Sequence, residues 1–158
     1  METPAGLDHS GLYHVGFFVD DVPAAMARIG ARSGLRWTDV QEHVTLAWRP
    51  GQPPEPIATT GAYSLGGPVH VELTQVRTGP FRPAADELVP HHVGYWCDDV
   101  MATTDALVAA GWTLELKGGF LGQDPTISIV RAPTGYCVEL VPSSSRARVE
   151  AKLGVSRP

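Results

Sequence analysis

The sequence lacks the features that mark several classes of protein. Lysine and arginine total 12 against 17 for aspartate and glutamate, the net charge is −5, and no basic stripe is present, which argues against a nucleic-acid partner. No apolar run approaches the ~20 residues that a membrane-spanning helix needs. Residues 1–6 lack the basic region and apolar core of an export signal. Cysteine occurs twice, at Cys97 and Cys137, for which a reduced, cytoplasmic setting is the default.

What is present describes an ordinary globular chain. Its 158 residues are 43% hydrophobic and 18% charged, enough to bury a sizeable core without the composition of a disordered chain. Glycine and proline are abundant, at 17 and 14 residues, and fall mostly in segments that look like loops. We therefore expect one soluble domain over residues 1–158.

One short stretch of the chain occurs twice. Residues 13–22 read Tyr-His-Val-Gly-Phe-Phe-Val-Asp-Asp-Val, and residues 91–100 read His-His-Val-Gly-Tyr-Trp-Cys-Asp-Asp-Val, at a constant offset of 78 positions. Each copy predicts a strand that leads directly into a helix, for which an aspartate offers the N-cap. Each copy is followed, further along the chain, by a strand with one glutamate between apolar residues, at Glu72 and Glu139.

These patterns predict two modules of the order βαβββ, which place the chain in the α+β class with its helices on one side of the strands. The modules are residues 11–76 and 90–142, joined by a connector, 77–89. The polar and basic tail, 143–158, reads as a frayed end or a short helix. The glycine- and proline-rich segment 50–68 predicts a long loop, and Gly118 with Gly119 predicts a turn. The predicted strands are 12–19, 35–39, 43–49 and 69–76 in the first module, and 91–97, 112–117, 125–131 and 136–142 in the second.

Two histidines and two glutamates are the candidate ligands of one metal ion. Side chains alternate along a strand, so His14, Glu72, His92 and Glu139 lie on faces with polar and aromatic neighbours, whereas the opposite faces are apolar. An enclosed carboxylate needs a cation, since burial of an isolated ion costs several kcal/mol or more. Imidazole and carboxylate ligands suit Zn, Ni, Co, Mn or Fe(II), and four such ligands on a six-coordinate ion leave two positions for adjacent substrate oxygens.

Taken singly, each of these residues has a structural interpretation. A histidine in an apolar strand is more often hydrogen-bonded in the core, and a glutamate that alternates with valine and leucine more often faces solvent. The recurrence of both residue types at equivalent places in two modules favours the metal site.

The chain resembles the vicinal oxygen chelate superfamily over about residues 11–142. The motifs that carry the resemblance are His-Val-Gly followed by Asp-Asp-Val, and the block Gly-Tyr-Cys-Val-Glu-Leu at residues 135–140. The resemblance implies that the paired modules form a curled mixed β-sheet, a half-barrel, around a metal site with the helices outside. It also implies a homodimer and the metal ligands His14, Glu72, His92 and Glu139.

The superfamily includes glyoxalase I, methylmalonyl-CoA epimerase, extradiol dioxygenases and the fosfomycin- and bleomycin-resistance proteins. The resemblance thus predicts a glyoxalase-like lyase or isomerase whose small substrate chelates the metal through adjacent oxygens, with the metal stabilising an enolate as a Lewis acid. Proton transfer would fall to Glu139 or Glu72, or to His43 or His70 nearby. The candidate substrate contacts are His70, His43, Phe18, Trp96 and Trp48, with Phe120 as a further candidate pocket wall.

Two alternatives stay open. An Fe(II) extradiol-type dioxygenase uses two histidines and one glutamate, so Glu72 would be surplus. A small-molecule-binding or antibiotic-resistance protein would sequester its ligand in the same cavity, although resistance proteins of the bleomycin type lack the metal set. Epimerases of the superfamily keep a glutamate base where the alignment places Thr45, with Glu42 predicted to point away and His43 to point the same way. This departure argues against simple methylmalonyl-CoA epimerisation.

Overall fold

A computed structural model describes residues 7–86 and 89–155. Parts of the expected lead-in, connector and tail, namely residues 1–6, 87–88 and 156–158, lie outside the described residues. The elements in chain order are β1 (Leu12–Phe18), α1 (Val22–Ser33), β2 (Gln41–Trp48), β3 (Glu55–Tyr63), β4 (His70–Thr78), β5 (His92–Cys97), α2 (Val100–Ala109), β6 (Thr113–Phe120), β7 (Ile127–Arg131), β8 (Cys137–Pro142) and α3 (Arg146–Lys152), with 3-10 turns at His9–Gly11 and Ser143–Ser145.

The eight strands close into a barrel in the order β1-β4-β3-β2-β6-β7-β8-β5. Within each module the first and last strands run parallel, as β1 with β4 and β5 with β8. The modules meet along two antiparallel seams, β1 with β5 and β2 with β6. The predicted α+β class and paired βαβββ modules are confirmed, and the curled sheet continues into a closed barrel.

Both long helices begin where the repeated aspartates predict. The side chain of Asp21 accepts a hydrogen bond from the Ala24 N–H at 2.8 Å, and that of Asp99 accepts one from the Ala102 N–H at 2.9 Å. These carboxylates satisfy backbone donors that have no partner inside the helix. α1 ends at Gly34, which adopts a left-handed conformation at φ 71°, as a glycine does readily at a helix C-terminus. The predicted helix boundaries are therefore explained by local chemistry.

The helices cover the apolar faces of the strands, as the alternation predicts. One core cluster joins Val22 and Ala25 of α1 to Leu73 of β4. A second joins Leu107 of α2 to Leu140 of β8, and both leucines are fully buried. Because the apolar faces pack under the helices, the polar faces of the same strands turn towards the interior of the barrel. Among residues 7–86 and 89–155, no helix has the length and apolar character needed to cross a membrane.

Three of the secondary-structure predictions are wrong. The strand predicted at 35–39 is reduced to a single bridge between Trp37 and Ser64. The segment 50–68, predicted as a loop, contains the nine-residue strand β3. Pro56 and Gly61 lower its strand propensity, but pairing with β2 on one side and β4 on the other stabilises it.

The third error concerns the glycines of β6. Gly118 and Gly119 lie inside β6 rather than in a turn. A Cβ atom at Gly118 would lie 2.9 Å from Ile127 Cγ1, and one at Gly119 would lie 2.9 Å from the carbonyl oxygen of Asp124. These glycines allow the following chain to lie close over the strand. The tail, for which two interpretations were open, forms the short helix α3 over its described part.

Candidate metal centre

The seam between β1 and β5 brings the two repeated histidines together. In its register His14 pairs with Gly94, and Gly16 pairs with His92. A Cβ atom at Gly94 would lie 1.9 Å from His14 Cε1, and one at Gly16 would lie 2.2 Å from His92 Cε1. Each imidazole therefore occupies the space that the missing side chain of the other module leaves open. This close approach explains the glycine of the repeated His-Val-Gly motif.

The two glutamates lie on the strands that flank this seam. β4 lies parallel to β1 with Glu72 beside Gly16, and β8 lies parallel to β5 with Glu139 beside Gly94. Each carboxylate thus stands next to the glycine over which the histidine of the opposite module lies. The pseudo-twofold arrangement follows from the duplicated strand order.

One ligand atom from each of these four residues lies within 4.8 Å of the others. His14 Nε2 is 3.3 Å from Glu72 Oε2 and 3.3 Å from Glu139 Oε2. His92 Nε2 is 3.1 Å and 3.8 Å from the same two oxygens, and the two Nε2 atoms are 3.1 Å apart. Adjacent ligands of one ion, at bonds of ~2.0–2.2 Å, are about 3.0–3.5 Å apart. The spacing therefore fits a shared divalent ion.

The burial and the charges of these four side chains also favour a bound divalent ion. His14 is fully buried, His92 is 4% exposed, and the side chains of Glu72 and Glu139 are 14% and 13% exposed. Two poorly hydrated carboxylates at this separation repel each other unless a cation lies between them. A divalent ion offsets both charges, and the donor set of two imidazoles and two carboxylates suits a transition metal. The residues present fit the metal that the superfamily implies.

The electrostatics of the metal-free site follow from these contacts. Burial alone would raise the pKa of Glu72, but the adjacent His14 and His92 outweigh it and lower the pKa to about 2. Burial would lower the pKa of His92, but the hydrogen bond to Glu72 and the charge of Glu139 outweigh it and raise that pKa above its usual range. The ionised Glu72 is thus available to a cation, whereas a proton on His92 competes with the metal.

Among the described residues, a tyrosine hydroxyl donates a hydrogen bond to only one of the two glutamates. The Tyr63 hydroxyl donates to Glu72 Oε1 at 2.5 Å, and β3 places Tyr63 directly opposite Glu72. Burial and then the glutamate charges raise the pKa of Tyr63 well above its usual value, so the phenol keeps its proton. At the equivalent place in the second module, β7 sets Ile129 opposite Glu139. An isoleucine cannot donate a hydrogen bond, so the two carboxylates are held differently.

A cavity of about 790 Å³ opens on the metal centre. Both glutamates lie on its wall, together with Tyr13 and Tyr63. The remaining lining mixes apolar side chains with a few polar ones and comes from β2, β6, β7, β8, α3 and the connecting loops. This is the size and character of a small-molecule site.

Some of the predicted substrate contacts lie on this cavity. His43 and Thr45 line it, and so does Phe120, which is 51% exposed. Glu42 points away, as predicted: its side chain is 80% exposed and lies 3.7 Å from the Arg77 guanidinium. The position at which epimerases of the superfamily are expected to carry a carboxylate is thus a threonine on the cavity wall.

The other four predicted contacts lie elsewhere among the described residues. His70 is buried, and its Nδ1 lies 2.8 Å from the Ser64 carbonyl oxygen. Phe18 packs edge-on against His91, and Trp48 is half-buried away from the cavity lining. Trp96 stacks on Tyr13 with ring centroids 3.9 Å apart.

Tyr13 reaches the cavity because of a local irregularity in β1. The pairing of β1 with β5 shifts register between Leu12 and His14, so alternation fails at this point. Tyr13, rather than Trp96, consequently reaches the cavity.

Sequence reasoning missed four cavity residues of chemical interest. Tyr63 was missed because β3 was predicted as a loop, and Tyr13 because strict alternation points it outwards. Arg148 and Lys152 were missed because the tail was not placed, although two cations four residues apart in a possible helix were a visible signal.

Comparisons with known proteins agree with this architecture. The sequence matches the family described as Glyoxalase/Bleomycin resistance protein/Dioxygenase superfamily over residues 13–130. That span contains three of the candidate ligands and ends before Glu139. No curated protein matches the sequence.

Several solved structures share the fold. Methylmalonyl-CoA epimerase from Mycobacterium tuberculosis has a TM-score of 0.50 and 16% identity, with 92% of this chain and 98% of that chain covered. A mutant of 4-hydroxymandelate synthase from Streptomyces coelicolor has a TM-score of 0.50 and 19% identity, with 85% and 37% covered. A hypothetical protein from Bacillus halodurans C-125 has a TM-score of 0.53 and 11% identity, with 83% and 92% covered. At these identities the likeness shows the fold.

The family match spans most of the barrel, including both copies of the repeated motif. The chain therefore belongs to the glyoxalase/bleomycin resistance protein/dioxygenase superfamily, the vicinal oxygen chelate group that its duplicated sequence resembles.

Proposed function

We propose that the protein is a metal-dependent lyase or isomerase of the glyoxalase type. One observation carries this proposal: two histidines and two glutamates place their ligand atoms within 4.8 Å of one another on the wall of a cavity. A divalent ion held by His14, Glu72, His92 and Glu139 would act as a Lewis acid on a substrate with adjacent oxygens. Its identity lies among Zn, Ni, Co, Mn and Fe(II), which this donor set suits.

The protein groups would then bind the substrate and move its proton. Both glutamates line the cavity, so each can reach a substrate there. Glu72 is held by the Tyr63 hydroxyl as well as by the histidines. Glu139 faces Ile129 instead, and among residues 7–86 and 89–155 no tyrosine donates to it. Glu139 is therefore the carboxylate that can turn from the ligand set and accept or return a proton at its Oε2 atom.

The wall opposite the glutamates would position the substrate. His43 and Thr45 of β2 line this wall, and neither is a carboxylate. We assign His43 to substrate contact at the exposed end of the site, since its side chain is solvent-accessible. We assign proton transfer to Glu139, because no β2 residue on this wall is a carboxylate.

Hydrogen–deuterium exchange tests the proposal directly. The metal-stripped protein is reloaded with each candidate ion and incubated in D₂O with dihydroxyacetone, with the methylglyoxal–glutathione hemithioacetal, or with methylmalonyl-CoA. Loss of the proton signal next to the carbonyl is followed by NMR. We expect exchange with at least one substrate only when metal is present, and a decrease of at least about 100-fold in Glu139→Gln.

Tyr13→Phe is the matched control, because it alters the cavity wall without removing a ligand or the proposed base. Unchanged exchange in Glu139→Gln would contradict the role of Glu139. Ring cleavage of a catechol by the Fe(II)-loaded protein would instead show a dioxygenase. Tight binding of an apolar ligand by a protein that takes up no metal would show a binding protein.

A further inference from the structure

The C-terminal helix α3 forms one wall of the cavity and is fixed in place by the residue that follows it. Leu153 is 2% exposed, and its carbonyl oxygen accepts a hydrogen bond from the Gly66 N–H at 3.1 Å. Four residues of this segment, Arg148, Val149, Lys152 and Leu153, line the cavity. The helix is thus a built part of the site, and its side chains face whatever the cavity holds.

Two of these side chains are exposed cations that have no carboxylate partner among the described residues. Arg148 and Lys152 are four residues apart, so they share one face of the helix. Arg148 lies 3.5 Å from the Ser145 hydroxyl, and no carboxylate pairs with either cation within residues 7–86 and 89–155. Arg146, on another face of the same helix, bonds to Glu150 at 2.6 Å. In this helix, Arg146, which does not line the cavity, is therefore paired with a carboxylate. Arg148 and Lys152, which line the cavity, are available to bind an anion.

The other charged residues that line the cavity do not balance these two cations once a metal ion is bound. Glu72 and Glu139 would be offset by the divalent ion, which leaves Asp39 as the remaining carboxylate among the described lining residues. Two cations then face one carboxylate across a cavity whose other groups are mostly apolar, such as Trp37 and Phe120. With a neutral substrate, Arg148 and Lys152, the positive rim of the cavity, would face only solvent.

The volume of the cavity indicates how far the substrate extends. A pair of chelating oxygens and the carbons that bear them occupy a small part of about 790 Å³. Cavities of ~300–1,000 Å³ enclose drug-sized ligands. The substrate thus has a body that continues beyond the metal-chelating end.

We propose that the substrate is an amphipathic anion whose end distal to the chelating oxygens carries a carboxylate or phosphate bound by Arg148 and Lys152. The apolar side chains of the wall contact its middle. This inference rests on the proposed function only in placing the chelating end at the metal. The binding of the anionic end by α3 is independent of turnover.

Because the substrate is not known, two fluorescent probes are used to test whether Arg148 and Lys152 favour an anion. The anion 8-anilinonaphthalene-1-sulfonate and the neutral N-phenyl-1-naphthylamine share one aromatic scaffold and differ in the sulfonate. Dissociation constants are measured for both probes with the metal-stripped and the metal-loaded full chain. In the double variant Arg148→Gln, Lys152→Gln, we expect about tenfold weaker binding of the anion and a change of less than about twofold for the neutral probe.

Two controls separate charge from structure. Arg146→Gln removes a cation of the same helix that does not line the cavity, and it should leave the affinity for the anion within about twofold. The exchange Arg148→Lys with Lys152→Arg keeps both charges, so it should restore most of the affinity. The dissociation constant for the anion should also rise between 0.05 and 0.5 M salt, by about threefold or more.

The two possible anions are distinguished by displacement of the sulfonate probe with octanoate and with octyl phosphate. Preferential displacement by one identifies the terminal group. Equal weakening of both probes in the double variant would show that α3 has merely moved, and unchanged binding of the anion would show that the rim does not select charge. Either result overturns this inference. If the chain takes up no metal but the probe contrast persists, the proposed function fails and the anion site stands.

Discussion

The two modules hold the same pair of ligands in opposite ways. In the first module the glutamate is anchored, because Tyr63 donates to Glu72, while Nδ1 of His14 is buried without a hydrogen-bond partner in the described structure. In the second module the histidine ligand, His92, has a hydrogen-bond partner, because its Nδ1 atom lies 3.2 Å from Nδ1 of His91. Glu139 accepts no hydrogen bond from a tyrosine in the described structure, although its charge helps to raise the pKa of Tyr13. The duplicated backbone places four ligands symmetrically, and single side chains next to them decide which one can move.

The neighbour of His92 is a neutral histidine that contacts its ring. Burial, followed by the nearby His92, lowers the pKa of His91 to about 4, so His91 is neutral at neutral pH. The Nδ1 atoms of His91 and His92 lie 3.2 Å apart, and the guanidinium of Arg131 lies 3.3 Å from His91 Nε2 on the other side of the ring. This contact orients the ligand of the second module, as Tyr63 orients the ligand of the first.

The largest expected effect comes from filling the glycine positions that both modules share. Gly94→Ala places a Cβ 1.9 Å from His14 Cε1, and Gly16→Ala places one 2.2 Å from His92 Cε1. Either change must displace an imidazole, so we expect metal affinity to fall by more than about 100-fold, measured by competition with a chelator. Gly61→Ala is the matched control, because its nearest contact would be 3.3 Å, to the Leu73 carbonyl oxygen. Equal metal affinity in all three variants would contradict the close approach.

A smaller effect is expected when the first module is made to resemble the second. Tyr63→Phe removes the donor to Glu72 and leaves both carboxylates without a tyrosine hydroxyl. We expect metal affinity to fall between about 10- and 100-fold, as it does when other groups that orient metal ligands are removed. Tyr13→Phe alters a cavity tyrosine that donates to neither glutamate in the described structure, and it should change the affinity by less than about threefold. A larger loss of metal affinity in Tyr13→Phe than in Tyr63→Phe would contradict the assignment of Tyr63 as the group that holds Glu72.

Metal affinity should also depend on pH. The carboxylates raise the pKa of His92 in the metal-free protein, so a bound proton competes with the ion. Glu72, with a pKa near 2, stays ionised throughout the neutral range and does not compete. Below the raised pKa of His92, affinity should fall by up to about tenfold per pH unit, with protons released on binding. Calorimetry in two buffers of different ionisation enthalpy measures this release, and binding without it would contradict the assignment.

The smallest effect is expected at a second group of ligand-type atoms in the second module. His91, Glu115 and Cys137 place one such atom each within 4.8 Å of the others. Burial raises the pKa of the Cys137 thiol to about 12, and Arg131 already bonds to Glu115. A protonated thiol and a bound guanidinium disfavour a second ion. Cys137→Ala should therefore leave the metal content of the protein unchanged, and elemental analysis that showed a loss would contradict this.

The ligand-bearing strands and their helices could be predicted because their determinants are local. The repeat that contains His14 and His92 indicated the two strands, and Asp21 and Asp99 indicated the helix starts that the structure shows. Alternation placed the glutamates on the same side as the histidines. These signals lie within a few residues of each feature that they determine.

The rest depends on pairing between distant strands. β3 contains Pro56 and is stabilised by neighbours on both sides, so its sequence alone does not indicate a strand, and Tyr63 was missed with it. The register shift after Leu12 turns Tyr13 towards the cavity against strict alternation. The close approach of Gly94 and His14 is likewise visible only once β1 and β5 are paired.

Whether the two histidines and two glutamates share one metal ion is measured by elemental analysis of the purified protein after stripping and controlled reloading. The wild-type chain is compared with His92→Ala and with Glu139→Ala under the same conditions. We expect one divalent transition-metal ion per wild-type chain and a clear loss of metal in both variants. A wild-type protein that holds no more metal than the two variants would contradict it.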